Sequence, residues 1–282
     1  MKTNVLNSLP RIFIIGMLFF ITPNSCLAGA WTRKSGETYL QFTLNTYCAD
    51  AHFDEDGNRR DFSSDGHFTD VNANTYMEYG LSDRLTVLTS LSYKYLQYED
   101  EAIETKTYGF PDIDLGTKYK LSDTKMGIFS IQGMVKIPET YDEDDTLPLG
   151  NGQYDLEVRL LYGISLYPKI PGYVNLEAGY RWRLDTPSDE CRYLAEFGLD
   201  FSPRIYGRLK IDGILSMENS DRSSDNGNTP NVKNESDLGK LDLAIGYKLP
   251  AGYAIELGVR PEIYGKNTSA GTNVSLAIAF KR

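Results

Sequence analysis

The feature that most constrains the fold is the regular alternation of apolar and polar residues in QYDLEVRLLYGISLY, at positions 153–167. The even positions of this segment are apolar, whereas its odd positions begin with Asp155, Glu157 and Arg159. Successive side chains of a β-strand point to opposite faces, so the pattern predicts a strand with one charged and one apolar face. Similar segments recur after residue 30, where no convincing amphipathic helix is found. The sequence therefore predicts an all-β protein.

The alternating segments predict about twelve strands, each near the ~9–11 residues that a tilted membrane strand requires. They lie at 37–48, 72–80, 84–97, 110–121, 126–137, 153–166, 173–184, 191–201, 205–217, 238–249, 253–264 and 272–280. Short turns at 81–84, 122–125, 167–172, 202–204 and 249–252 alternate with longer polar connections at 49–71, 98–109, 138–152, 185–190, 218–237 and 265–271. An antiparallel barrel with an even number of strands has its short turns at one end and its long loops at the other. We therefore expect residues 31–282 to form a transmembrane up-and-down β-barrel with short periplasmic turns, longer extracellular loops and periplasmic N- and C-termini.

The N-terminal residues have the pattern of a secretory signal peptide. Lys2 and Arg11 precede a short apolar run, and Ala28 and Ala30 stand in the A-x-A arrangement that signal peptidase recognises. The run of ten apolar residues, IFIIGMLFFI, is too short to span a bilayer as a helix. We expect cleavage after Ala30, which removes 1–30 as a signal peptide.

The net charge argues against nucleic acid as a partner. Of the 29 basic residues, removal of Lys2 and Arg11 leaves 27 against 39 acidic residues. Nucleic-acid binding requires a basic surface, which a chain of this composition does not provide. The expected surroundings are instead outer-membrane lipid and lipopolysaccharide.

Aromatic residues are distributed in two bands along the predicted strands. Those on the apolar face near the short turns are Tyr79, Tyr119, Tyr167, Phe201, Tyr247, Tyr253 and Phe280, and those near the long loops are Tyr93, Tyr95, Tyr154, Trp182 and Tyr193. Two aromatic girdles around an aliphatic band are typical of a barrel that meets two lipid–water interfaces. The last predicted strand, VSLAIAF, alternates up to Phe280, which predicts recognition of the C-terminal strand by the barrel-assembly machinery.

Several stretches resemble a known family. They are AWTRKSGETYLQFTLNTYCADAHFDEDGNRRDF, EYGLSDRLTVLTSLSYKYL, GFPDIDLGTKYKL, LPLGNGQYDLEVRLLYG and AGYRWR followed by RYLAEFGLD. Together they are similar to the outer-membrane β-barrel transporter family named after the meta-pathway of phenol degradation. The resemblance implies a bacterial outer-membrane location and the passage of small, aromatic compounds. It implies no catalytic residues.

The charged face of the strands is predicted to line the lumen, because an ionised side chain that faces hydrocarbon costs ~2–4 kcal/mol near the bilayer midplane. Short turns fix the register of the hairpins that they close. The resulting facing pairs are all of opposite charge, namely Asp155–Arg183, Glu157–Arg181, Arg192–Asp212, Glu196–Arg208, Lys240–Glu262, Asp242–Arg260 and Asp112–Lys136. The candidate lumen or constriction residues are Asp112, Asp114, Lys136, Asp155, Glu157, Arg159, Arg181, Arg183, Arg192, Glu196, Arg208, Asp212, Lys240, Asp242, Arg260 and Glu262.

These charges are open to two interpretations. In the first, the pairs satisfy one another and fill a narrow, closed barrel whose role is structural or adhesive. In the second, they form a constriction that selects small polar or anionic solutes. The second interpretation predicts a channel for passive uptake of a small-molecule solute, which we expect to work as a monomer.

Enzymatic chemistry finds little support in the sequence. The histidines are His52 and His67, both in the first long connection, which is a poor place for an outer-membrane hydrolase site. The segment DEDGN at 54–58 lacks the later ligands of a calcium loop, so we expect neither a metal nor a cofactor. Cys48 and Cys191 are far apart in the chain, and their spacing leaves open whether they pair.

Overall fold

The protein is described by a computed structural model that covers residues 29–138, 141, 145–185, 187–219 and 235–282. Residues 1–28 of the predicted signal peptide lie outside the described residues. The strands of the described chain are β1 (Thr38–Phe53), β2 (Arg59–Asp61), β3 (His67–Ser82), β4 (Leu85–Glu99), β5 (Glu104–Gly109), β6 (Ile113–Thr124), β7 (Gly127–Ile137), β8 (Asp155–Ser165), β9 (Gly172–Arg183), β10 (Glu190–Asp200), β11 (Ile205–Ser216), β12 (Asp237–Lys248), β13 (Tyr253–Lys266) and β14 (Thr268–Lys281).

Twelve of these strands, all except β2 and β5, form a closed antiparallel barrel. Each strand pairs with its neighbour along the chain, and β14 pairs with β1 so that Leu40 faces Phe280. The short β2 and β5 extend the sheet at the long-loop end, where they pair with β1 and β4. Closure leaves the twelve-stranded barrel itself without a free edge, which is the condition for a sheet to cross a bilayer. The predicted fold class is therefore confirmed.

The predicted boundaries agree within two residues at four of the short turns, whereas the turn predicted at 122–125 lies at 125–126 and the boundaries at the long loops differ. Several strands continue beyond their predicted ends, as β1 does to Phe53. The predicted long connection 265–271 is wrong, because Asn267 alone separates β13 from β14. Asn267 has a φ of 52°, a conformation that asparagine tolerates better than most residues and that permits a tight hairpin. Gly265 and Gly271 interrupt the alternation of apolar and polar residues in the sequence, although both glycines belong to paired strands.

The barrel presents its apolar residues outward and its charged residues inward. In β8, Leu156, Val158 and Leu160 are 43%, 42% and 59% exposed, whereas Asp155 and Glu157 are 1% and 2% exposed. A soluble barrel would have the opposite arrangement. This inversion is expected for a barrel surrounded by lipid.

The outer face also carries the two predicted aromatic bands. Tyr79, Tyr119 and Phe201 are exposed near the short turns, and Tyr93 and Trp182 are exposed toward the long loops. No helix in the described part of the chain is long and apolar enough to span a membrane.

The two described cysteines are both free. Cys48 is exposed on β1, and Cys191 is half-buried on β10 with its sulfur 3.4 Å from Met217 Sδ. The chain spacing had left open whether they pair, and the structure shows that they do not.

Candidate functional site

The lumen contains a cavity of 910 Å³ that extends along the barrel. Its lining includes Asp200 and Lys248 at the short-turn end and Asn267 at the long-loop end. The candidate residues from the sequence line this cavity, except for Glu157, Arg159 and Asp212. These three also point inward, where they are engaged in ion pairs.

One face of the cavity is polar and uncharged. It is formed by Gln41, Thr43 and Asn45 of β1, Asn72 and Asn74 of β3, Ser92 of β4 and Asn273 and Ser275 of β14. Asn45 connects three strands, because it donates a hydrogen bond to Asn72 Oδ1 at 2.9 Å and accepts one from Asn273 Nδ2 at 3.1 Å. The antiparallel register places Asn45 opposite Asn72, so these short amide side chains meet directly. The sequence interpretation concentrated on charges and missed this face.

The opposite face is formed by ion pairs, whose first part agrees with the predicted register. Across β8 and β9, Asp155 faces Arg183 and Glu157 faces Arg181, as predicted. Arg181 Nε lies 2.8 Å from Glu157 Oε2, and Arg183 Nε lies 3.6 Å from Asp155 Oδ1. Arg159 extends the network, with 2.7 Å between its Nη1 and Glu177 Oε2.

The predicted register of β10 and β11 is wrong by two residues. Arg192 faces Ile214 rather than Asp212, and Glu196 faces Lys210 rather than Arg208. The prediction centred the turn on Ser202, whereas the three-residue turn 202–204 is centred on Pro203 and is closed by the hydrogen bond from Phe201 N to Ile205 O.

The ion pairs of this hairpin are also different from the prediction. Arg192 does not pair with Asp212. It pairs with Glu190 at 2.8 Å and lies 3.6 Å from Glu157. Arg208 does contact Glu196, at 3.3 Å, because its long side chain reaches the residue diagonally across the strands. The pairing of opposite charges is therefore more tolerant of register than the prediction assumed.

A similar correction applies to β6 and β7. Lys136 faces Asp114 rather than Asp112, because the turn lies at residues 125–126 and a bulge follows between Lys120 and Ser122. The predicted ion pair is nevertheless formed, with Lys136 Nζ 3.1 Å from Asp112 Oδ2. Asp114 makes no ion pair with any described residue, and its Oδ1 is buried without a hydrogen bond.

In β12 and β13 the predicted register holds while the predicted ion pairs are absent. Lys240 faces Glu262, but Glu262 accepts hydrogen bonds from Tyr47 Oη at 2.6 Å and Gly271 N at 2.9 Å. Arg260 does not pair with Asp242 and instead lies 2.6 Å from Asp212, two strands away on β11. Inward side chains converge because the sheet is curved, so a guanidinium reaches the next-but-one strand.

The N-terminal residues 29–37, which we call the lumen segment, enter the barrel at the short-turn end. Lys118 Nζ donates to Gly29 O at 2.7 Å, and Ser130 Oγ donates to Ala30 O at 2.6 Å. Ala30 is fully buried and donates its N–H to Asn175 Oδ1 at 3.1 Å. The segment therefore occupies the lumen beside β6, β7 and β9.

An ion-pair cluster anchors the lumen segment. Glu78 of β3 lies 2.5 Å from Arg33 Nε and 2.9 Å from Lys118 Nζ, and all three side chains are buried. Trp31 packs edge-on against Tyr173 with ring centroids 5.7 Å apart, and Gly163 provides the space beside its indole ring. The sequence interpretation missed Glu78 and Lys118. At the inward positions of β8, Arg159 is followed by Leu161 and Gly163, which are not polar. This change could have indicated that another part of the chain packs against β8 inside the barrel.

The connection after β7 narrows the cavity at the long-loop end. Leu147 and Leu149 are buried against Ala49, Phe68 and Leu96 of the barrel wall. Tyr141 donates to Asp112 at 2.6 Å and accepts from Gly152 N at 2.7 Å, while Lys136 donates to Asn151. Apolar packing and hydrogen bonds together hold residues 145–152 inside the mouth of the barrel. The sequence had predicted this region as a polar outer loop.

The structure places both histidines on strands, His52 on β1 and His67 on β3, rather than in the predicted long connection 49–71. The ring of His52 stacks on Phe62 with centroids 5.6 Å apart, and its Nδ1 is buried without a hydrogen bond to any described residue. His67 is the first residue of β3 and is exposed. Within the described residues, no group of three or more His, Cys, Asp or Glu side chains is arranged to hold a metal ion.

Comparisons with known proteins support the fold. No family model matches this sequence, and no curated protein matches it significantly. The barrel is similar to the COG4313 outer membrane channel from Pseudomonas putida F1, with 13% identity, a TM-score of 0.71 and coverage of 90% of this chain and 98% of that chain. It is also similar to the NanC porin, with 8% identity, a TM-score of 0.52 and coverage of 86% of this chain and 100% of that chain. The protein thus has the fold of an outer-membrane β-barrel.

Proposed function

We propose that this protein is an outer-membrane channel for the passive uptake of small solutes. The observation that supports this most directly is the cavity of 910 Å³, whose lining extends from Lys248 to Asn267 through a barrel with an apolar outer face. A polar lumen inside a lipid-facing barrel is the arrangement that porins use. The proposal includes periplasmic N- and C-termini and cleavage of residues 1–30 as a signal peptide. Cleavage removes the contacts of Gly29 and Ala30 and keeps those of Trp31 and Arg33 in the lumen segment.

The proposed solutes are small and include aromatic compounds such as phenol or benzoate. The mouth of the cavity combines apolar contacts from Leu149 and Phe68 with the polar groups of Asp112 and Asn151. Such a mixture suits a ring with one polar substituent. The family resemblance of the sequence favours the same class.

The ion pairs favour a second candidate, a closed barrel with a structural or adhesive role. The lumen segment and the network around Glu157 and Arg181 fill the side of the lumen formed by β6 to β9. Small barrels are commonly filled by their own side chains. In this alternative, the outer loops rather than the lumen carry the function.

Single-channel conductance in a planar bilayer separates the two candidates. The refolded barrel is measured with and without phenol, benzoate and small sugars, after heat-modifiable migration has shown that it is folded. Steady conductance that one solute class reduces supports the channel. A folded barrel without conductance contradicts it and favours the closed alternative.

The proposed partners follow from the outer face and from β14. An apolar belt that includes Leu257, Val274 and Leu276 needs no protein partner, which supports a monomer in contact with lipid and lipopolysaccharide. The alternation of β14 up to Phe280 supports insertion by the barrel-assembly machinery. Chemical cross-linking in native membranes that yields a discrete oligomer would contradict the monomer.

A further inference from the structure

Nearly every basic side chain around the cavity forms an ion pair with a carboxylate. Among the described residues that line the cavity, Lys240 is an exception. Arg192 pairs with Glu190, and Lys210 lies 3.2 Å from Asp242. Lys240 lines the cavity and is half-buried, but it makes no ion pair or hydrogen bond with any residue that the structure describes. Its ammonium group is therefore an available hydrogen-bond donor inside the lumen.

The two carboxylates nearest to Lys240 are already engaged. Glu262, which faces Lys240 across β12 and β13, accepts hydrogen bonds from Tyr47 Oη and Gly271 N. Both oxygens of Asp212 accept from Arg260 Nη2, at 2.7 and 2.6 Å, and Lys210 lies 3.6 Å from Oδ1. Both carboxylates therefore hold other donors, and Lys240 forms an ion pair with neither of them among the described residues.

Arg260 contributes a second donor without an acceptor. While its Nη2 binds Asp212, its Nε is buried and has no hydrogen-bond partner among the described residues. An unsatisfied buried donor of this kind costs free energy, and more so when it is charged. Lys240 and Arg260 line the same cavity on the paired strands β12 and β13, where Lys240 faces Glu262 and Arg260 lies two residues from Glu262.

The neighbouring wall is suited to hydroxyl groups. Arg260 faces Asn273 across β13 and β14, and Asn273 Nδ2 donates to Asn45. The side-chain oxygen Oδ1 of Asn273 accepts no hydrogen bond from a described residue, so it is available to a solute hydroxyl. An anion with hydroxyl groups would therefore find donors on one side and an acceptor on the other.

We infer that Lys240 Nζ, with the Arg260 guanidinium beside it, forms an anion subsite in the long-loop half of the lumen, which takes the carboxylate of a small hydroxylated acid. The inference rests on the proposed function as a solute channel and names a second solute class for it, bound deeper in the lumen than the aromatic compounds proposed for the mouth. A charge-assisted hydrogen bond from an ammonium to a carboxylate is short and strong, and the neighbouring guanidinium adds positive charge. Asn273 then selects hydroxylated acids over plain carboxylates.

Equilibrium binding to the folded, full-length barrel in detergent tests the subsite. The probes are glucuronate, glucose as the neutral sugar and benzoate as the carboxylate without hydroxyls, each measured by titration calorimetry. We expect glucuronate to bind at least ~10-fold more tightly than either control, the ratio that one charge-assisted hydrogen bond provides. Equal binding of glucose overturns the anion subsite, and equal binding of benzoate overturns the hydroxylated class.

Two variants locate the site. Lys240→Gln should weaken glucuronate binding by ~10-fold or more. Lys94→Gln, which removes a lumen lysine that is paired with Asp70, should leave the affinity within about twofold. Arg260→Gln, which removes the neighbouring positive charge, gives an independent test if Lys240→Gln does not fold. Equal affinity of the wild type and a folded Lys240 or Arg260 variant overturns the subsite.

Failure of the inference is distinguishable from failure of the proposed function, because binding is measured separately from conduction. A barrel that conducts ions but binds glucuronate equally with and without Lys240 overturns the subsite alone. A folded barrel that does not conduct overturns the channel.

Discussion

Glu78 Oε2 lies 2.5 Å from Arg33 Nε in a buried ion pair that joins the lumen segment to β3. Lys118 Nζ reaches the other oxygen of Glu78 at 2.9 Å and also holds Gly29 O. A single carboxylate thus neutralises two buried cations, one on the segment and one on the barrel wall. This acid therefore links the segment to the barrel wall.

Glu78→Gln is expected to destabilise the barrel and release the lumen segment. Removal of one partner from a buried ion pair leaves the remaining charge uncompensated, which costs about 3–5 kcal/mol. We expect a corresponding loss in the free energy of unfolding by urea, together with a larger single-channel conductance. Glu55→Gln, in the exposed loop after β1, is the matched control and should change neither quantity. Unchanged conductance in a destabilised Glu78 variant would show that the segment stays in place without the acid.

Gly163→Ala is expected to displace Trp31. An added Cβ at this position would lie 2.6 Å from the indole ring, and the ring cannot move without losing its contact with Tyr173. In a Trp182→Phe background, the fluorescence emission then reports on Trp31 alone and should shift to longer wavelength as the indole becomes hydrated. Gly133→Ala on β7, where an added Cβ meets nothing within 4 Å, should leave the emission unchanged. An unshifted spectrum for Gly163→Ala would mean that the wall adjusts instead of the segment.

The sequence was sufficient to predict the barrel, because its determinants are local and repeated. Alternation with period two defines the strands, and the position of each short turn sets the register next to it. The pairing of Asp155 with Arg183 was predictable because the turn between β8 and β9 was centred correctly. The register of Arg192 was wrong because a shift of one residue in the centre of the turn at Pro203 moves every facing pair by two.

The sequence did not predict the contacts inside the lumen between parts of the chain that are not paired strands. Arg33 and Glu78 are 45 residues apart, and no periodic pattern connects them. Leu147 and Leu149 lie in a connection whose composition is typical of a solvated loop, yet both are buried against the barrel wall. Such contacts depend on the shape of the closed barrel, which arises only after all strands have paired.

Asp54 is expected to titrate with a midpoint of about 2. The Asn58 N–H, 2.8 Å from Oδ1, together with Arg60 and the Asp56 N–H, lowers the pKa of this loop carboxylate from 3.8 to about 2. Because the folded pKa is lower than the unfolded value, the contribution of Asp54 to the turn is present above pH ~4. It is lost as the pH falls through about 2.

Carboxyl NMR in micelles measures this midpoint directly. Asp54→Asn removes the charge and should increase amide exchange at Asp56 and Asn58 already at neutral pH. A midpoint near ~3.9, the value of an unperturbed aspartate, would show that the turn is not formed in solution.

Arg183→Gln is expected to make the proposed channel more selective for cations. Arg183 lines the cavity, and its Nη1 binds Glu190 at 2.7 Å while its Nε is buried without a hydrogen bond among the described residues. Loss of this charge leaves Asp155 and Glu190 less neutralised, and rings of carboxylates favour cations in a narrow pore. The reversal potential in a tenfold KCl gradient should move toward the potassium equilibrium potential. Arg59→Gln, which removes an exposed arginine outside the lumen, should leave it unchanged at 0.15 M salt, where exposed charges are screened within about 8 Å. An identical shift in both variants would mean that the net charge of the protein, and not the lumen, sets the selectivity.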